Sequence, residues 1–103
     1  MSKLSRLRLI SRGRSKYRIG DWWYKSSNNT LQYATVEYWY EIDLDQKVPC
    51  DYWIKHLIQK TERVMPMSCL YDLIELYKQL NYPVDDEKIQ KIVDFYSARI
   101  KRE

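Results

Sequence analysis

The feature that most limits what this chain can fold into is the run Thr30-Leu31-Gln32-Tyr33-Ala34-Thr35-Val36-Glu37-Tyr38-Trp39-Tyr40-Glu41-Ile42-Asp43-Leu44-Asp45. From position 36 onward, Val36, Tyr38, Tyr40, Ile42 and Leu44 share one parity, and Glu37, Trp39, Glu41, Asp43 and Asp45 the other. Strand side chains point alternately to opposite faces, so the run reads as one long β-strand. One of its faces suits burial, and the other sets carboxylates around a tryptophan.

The upstream chain supplies partners for such a strand. In residues 4–10, Leu7 and Leu9 alternate with Arg6 and Arg8, a short strand with a basic face. Residues 11–15 read as a turn in which Gly13 can take a positive φ. Residues 16–25 form a second expected strand, with Tyr17 and Ile19 opposite Lys16 and Arg18, and Gly20 as a bulge that re-phases the pattern before Trp22-Trp23-Tyr24. Residues 26–29, Ser-Ser-Asn-Asn, have hairpin-loop composition.

After Pro49 the apolar period changes from two to between three and four. Asp51 is the expected cap of a helix whose stripe is Trp53, Ile54, Leu57, Ile58, Val64 and Met65, ended by Pro66. Ser68 would cap a second, carrying Leu70, Leu73, Ile74, Tyr77 and Leu80, with Asn81 as its stop. Pro83-Val84-Asp85-Asp86 opens a third, with Ile89, Ile92, Val93, Tyr96 and Ile100 on one stripe. The expected fold is α+β: an N-terminal antiparallel β-meander of about three strands, then three α-helices, the last two a helical hairpin covering one sheet face. A chain of 103 residues has room for a single domain, with residues 1–15 forming a basic arm or an edge strand.

Charge is unevenly spread. Residues 1–25 hold eight cations against Asp21 alone, and residues 26–54 hold five acids against Lys47 alone. The basic end implies a polyanionic partner, unless a basic strand lies beside the acidic one and the two neutralise each other. No apolar run is long enough for export or for spanning a bilayer, so the reading is a cytoplasmic protein with Cys50 and Cys69 reduced.

Catalytic motifs are sparse. Cys50, His56 and Cys69 lack the paired spacing of a zinc site, and His56 falls on the polar side of its helix beside Tyr52 and Lys60. No nucleophile elbow is present. Glu41, Asp43 and Asp45 at alternate strand positions, with Asp45-Gln46-Lys47, match a short element that nucleases use to hold a divalent cation. The alternative for that face is a solvated surface, or pairing with Arg14, Lys16 and Arg18 on a neighbouring strand. The chain therefore reads as a non-enzymatic protein without a cofactor or metal, and the metal-dependent nuclease ranks third.

The leading functional reading is nucleic-acid binding, with single strands or RNA favoured, or action on a nucleoprotein complex. Arg6, Arg8, Arg12, Arg14, Lys16 and Arg18 can neutralise phosphates, while Tyr17, Trp22 and Trp23 offer stacking faces for unpaired bases. Trp22 and Trp23 are adjacent, so only one of them can join a given core. The alternative is a stoichiometric protein inhibitor or adaptor, of the kind that viruses direct at host enzymes, displaying Trp39 among Glu37, Glu41 and Asp43. The Gly20-Asp21-Trp22-Trp23-Tyr24 run before a hairpin is similar to the opening of small SH3-like barrels; the helices after Pro49 depart from that pattern, and no residue role carries over.

Overall fold

The structure, a computed structural model, describes residues 8–9, 15–19, 22–34, 39–61 and 63–102; for 8–9, 15–19, 34 and 39 it describes the backbone. The fold is α+β, an antiparallel meander followed by three helices, as the periodicities imply. The chain divides into two compact units, Met1–Lys47 and Val48–Glu103.

The first unit is a five-stranded sheet in sequential order: β1 (Arg8–Leu9), β2 (Ser15–Ile19), β3 (Trp22–Lys25), β4 (Thr30–Ala34) and β5 (Trp39–Asp43). It has two more strands than the parity pattern suggested, because two expected strands each fold back on themselves. Residues 16–25 are a hairpin in which Ile19 pairs with Trp22; Gly20, read as a bulge, lies outside the described residues, and the register shift falls between Ser15 and Tyr17. The long strand is likewise a hairpin, in which Thr30 pairs with Asp43, Leu31 with Ile42, Gln32 with Glu41, Tyr33 with Tyr40 and Ala34 with Trp39. A straight strand of that length would span about 50 Å at 3.3 Å per residue, several times the usual length, and would need a partner as long. Folding back lets each half bury its apolar side chains against the other.

Every register pair among the described residues agrees with one division of the sheet into faces. Leu9, Tyr17, Ile19, Trp22, Tyr24, Leu31, Tyr33, Tyr40 and Ile42 hold register positions on one face. Trp22, Leu31, Tyr33 and Ile42 are buried there. A cross-strand ladder runs through it: Trp22 stacks on Tyr33 at 4.9 Å between ring centroids, and Tyr33 on Tyr40 at 6.0 Å. Such pairs are the units of sheet stabilisation. β1 and β5 are the two edges and do not pair with each other, so among the described residues the sheet is open and is not a closed barrel.

Asn29 locks the hairpin between β3 and β4. Its backbone is left-handed, with φ 51°, which asparagine tolerates better than most residues. Its side chain accepts from the Tyr24 hydroxyl at 2.9 Å and donates to the Asp45 carboxylate at 2.8 Å, and its carbonyl accepts from the Leu44 amide at 3.1 Å.

The second unit contains α1 (Cys50–Lys60), β6 (Met65–Pro66), α2 (Met67–Gln79), α3 (Asp86–Phe95) and β7 (Ile100–Lys101). α1 lies against both α2 and α3. Cys50, Ile54, Leu57 and Ile58 meet Leu70, Leu73, Leu76, Ile89 and Val93 in the apolar interior, where i, i+3 and i+4 spacing brings one stripe of each helix. Three boundaries differ from expectation. Pro49, not Asp51, precedes the first helical residue of α1, and α1 ends at Thr61, whose hydroxyl donates back to the Leu57 carbonyl at 2.7 Å. Val64 is 49% exposed and leaves the stripe. Pro66 precedes α2 directly, a position compatible with its missing amide hydrogen.

α2 closes in a Schellman motif. Tyr82 donates its amide to the Tyr77 carbonyl and Asn81 to that of Lys78, with Asn81 left-handed at φ 64° and the Tyr77 and Tyr82 rings in edge contact. α3 starts where Asp85 accepts from the Lys88 amide at 3.1 Å. It gives way at Tyr96 to a 3-10 turn and to β7, which pairs in parallel with β6 through Met65 with Ile100 and Pro66 with Lys101. The Arg99 guanidinium donates to the Ile58 and Thr61 carbonyls, answering orphan acceptors at the end of α1. No helix of the described residues is long and apolar enough to cross a membrane.

Candidate nucleic-acid interface

The second face of the sheet carries the charge. One row of directly paired positions runs Arg8, Arg18, Trp23, Gln32, Glu41 from edge to edge. The next runs Ser15, Lys25, Thr30, Asp43. Each row passes from basic or neutral at the β1–β2 end to acidic on β5.

Strand order decides whether these charges cancel. The basic strand expected beside the acidic one is not beside it, since β2 pairs with β1 and β3, and β5 pairs with β4. β2 and β5 are three steps apart, roughly 14 Å at 4.8 Å per step. That exceeds the screening length of about 8 Å at physiological salt, so direct neutralisation between the two edges is weak. Arg8 and Arg18 hold directly opposed register positions.

Trp22 and Trp23 part company as their adjacency requires. Trp22 is fully buried and belongs to the aromatic ladder, whereas Trp23 is 37% exposed and sits next to Arg18 in the charged row. Of the two, Trp23 is the one with an accessible ring. Tyr17 pairs with Leu9 and Tyr24, on the register face of the ladder. Lys16 falls within the register shift. Arg6, Arg12 and Arg14 lie outside the described residues, as does the Gly13 turn.

The acidic end is committed to local structure. The Gln32 amide donates to Glu41 at 2.7 Å, Asp43 accepts from the Asp45 amide at 3.0 Å to start a 3-10 turn, and Asp45 accepts from Asn29. Asp45 lies in that turn, so Glu41, Asp43 and Asp45 are not three successive outward positions of one strand, and the geometry proposed for cation binding is not formed. Among the described residues no group of three His, Cys, Asp or Glu side chains could hold a metal ion. Trp39 pairs with Ala34 on the edge strand β5, Glu41 is exposed, and Glu37 lies outside the described residues.

Neither thiol is exposed. Burial, aided by Asp51 and Asp86, pushes the Cys50 thiol up to about 12, which leaves no thiolate for nucleophilic work near neutrality. Burial also raises the Tyr77 hydroxyl, which donates to the Val48 carbonyl at 3.1 Å.

A second polar and aromatic surface lies on α1. Tyr52 and His56, one turn apart, are nearly parallel at 13° and 6.1 Å, and Trp53 stands perpendicular to both at 5.3 and 5.5 Å. Spacing alone placed His56 beside Tyr52 and Lys60; the bracing by Trp53 depends on rotamers that spacing does not specify. Comparison with protein-family models, with curated proteins and with solved structures returned no match.

Proposed function

We propose that this protein is a non-enzymatic binder of single-stranded nucleic acid, free or within a nucleoprotein complex, and that the β1–β2–β3 end of the charged sheet face is its principal contact. The observation that carries this reading is the strand order, which places Arg8, Lys16 and Arg18 three or four strands from the acids of β5. Cations set at that distance from the acids of β5 suit a phosphate backbone, whose neutralisation releases counterions. Trp23, next in the row, supplies an aromatic face of the kind on which an unpaired base stacks whatever its sequence.

The test is titration of labelled single-stranded and duplex oligonucleotides over a series of salt concentrations. Tight binding to the single strand that weakens steadily with salt supports the reading; no binding at low salt defeats it. A nuclease-resistant stoichiometric protein partner on a pull-down would move the assignment to β5, where Trp39, Glu41 and Asp43 lie on the opposite sheet edge.

A further inference from the structure

α1 carries an aromatic platform that the sheet does not explain. Tyr52 is 52% exposed although tyrosine has an apolar body, and its ring lies nearly parallel to that of His56 on the next turn. Trp53 contacts both rings edge-on, so the three aromatics brace one another. The Trp53 indole nitrogen is buried with no hydrogen-bond partner among the described residues, so the tryptophan is held there by ring contacts and apolar burial. Rings fixed in this way lose little conformational freedom when a ligand settles on them.

The surrounding charge indicates what that ligand is. Lys55 and Lys60 are exposed, three and eight residues after Tyr52, which puts Lys60 on the same helical column as Tyr52 and His56 and Lys55 on its flank. Among the described residues neither lysine has an ion-pair partner. Gln59, on the adjoining flank, donates to the Tyr96 hydroxyl at 2.8 Å, which ties this part of α1 to the residue that ends α3. An exposed aromatic column with two cations, the nearest acid on α1 being Asp51 one turn before Lys55, matches a planar group attached to an anion.

We propose that the Tyr52–His56 column is a second nucleotide site, stacking one unpaired base on Tyr52 while Lys55 and Lys60 hold the adjoining phosphates. This rests on the nucleic-acid reading above, and it adds a contact in the helical unit to the one in the sheet.

The experiment uses the full chain and a fluorescein-labelled oligothymidylate, with Tyr52→Ala, Tyr52→Phe, the pair Lys55→Ala and Lys60→Ala, and Arg18→Ala with Trp23→Ala as the sheet control. Circular dichroism checks that each variant folds; the altered α1 side chains are exposed. Tyr52→Ala should weaken binding roughly 5- to 150-fold, the range of one base–aromatic stack, while Tyr52→Phe stays near the native affinity. The double lysine variant should flatten the salt dependence by about 1.4 in log–log slope, at 0.7 per single-strand phosphate contact. Native affinity in Tyr52→Ala and native slope in the double lysine variant, with loss in the sheet variant, overturn this site and leave the sheet reading standing. Failure of the native chain to bind overturns both.

Discussion

Replacing Trp22 and Trp23 one at a time by alanine tests the face assignment of the whole sheet, because the two differ by one position and a register slip of one residue would exchange them. Trp22 is fully buried and stacks on Tyr33 at 4.9 Å. Truncating a buried tryptophan removes its apolar burial and leaves a cavity, at a cost of about 3 to 5 kcal/mol. Small proteins are stable by about 5 to 15 kcal/mol, so Trp22→Ala should sit close to unfolding without denaturant. Trp23 is 37% exposed, and Trp23→Ala should cost about 1 kcal/mol or less. Urea unfolding followed by far-ultraviolet circular dichroism reads both, since tryptophan fluorescence would itself change on substitution. The reasoning is refuted if the two variants lose similar stability, or if Trp23→Ala loses more.

Other consequences follow from single contacts. Asn29→Ala removes hydrogen bonds with Tyr24 and Asp45 and puts a Cβ residue less suited to the left-handed region at φ 51°; it should cost about 2 to 3 kcal/mol in urea melts, and Asn29→Gly less, because glycine has no steric penalty there. Cys50 is neutral in the folded state up to about 12, but its thiol titrates near 9.0 once unfolded. Above pH 9 the unfolded state therefore releases a proton that the folded state keeps, so stability is full below pH 9 and falls towards pH 12 by up to about 1.4 kcal/mol per pH unit. Cys50→Ala should flatten that alkaline limb in melts at graded pH; an unchanged limb would count against it. Arg99→Ala leaves the Ile58 and Thr61 carbonyls without that charged donor and should cost about 1 to 3 kcal/mol, with faster hydrogen exchange at the end of α1.

The class of the fold was legible in the sequence, since an apolar period of two in the first half and of three to four after Pro49 separates sheet from helix. The helix ends were less so, because Pro49 and Pro66 directly precede helices while Asp51 and Ser68 are the better cap residues by type. The hairpin within residues 30–43 left a mark in the parity: Leu31 and Tyr33 are odd, whereas their partners Ile42 and Tyr40 are even. An unbroken strand cannot bury both sets on one face, but a chain reversing between positions 34 and 39 can. That segment, Thr-Val-Glu-Tyr, contains no Gly, Pro, Asn or Asp, so the reversal had no turn residues to announce it. Ile19 and Trp22 likewise differ in parity and pair with each other across a hairpin, which brings both to one face.

The candidate site was legible as composition but not as arrangement. Cations and tryptophans near the N-terminus are visible in the sequence, yet which tryptophan faces outward and whether the basic strands touch the acidic one depend on strand order. With three strands, the basic strand at 16–25 would lie directly beside the acidic one; two additional reversals set β2 and β5 three steps apart. Residue type also could not show that Asp45 leaves the strand for a 3-10 turn, because that follows from the side-chain cap made by Asp43.

The most direct test of the central claim is the dissociation constant of the full chain for a labelled single-stranded oligonucleotide, measured between about 50 and 200 mM salt. The account predicts that log affinity falls linearly with log salt, with a slope of about −2 from Arg8, Lys16 and Arg18 alone and steeper with each further phosphate contact. Binding that is absent at the lowest salt, or that does not change across the series, would contradict it.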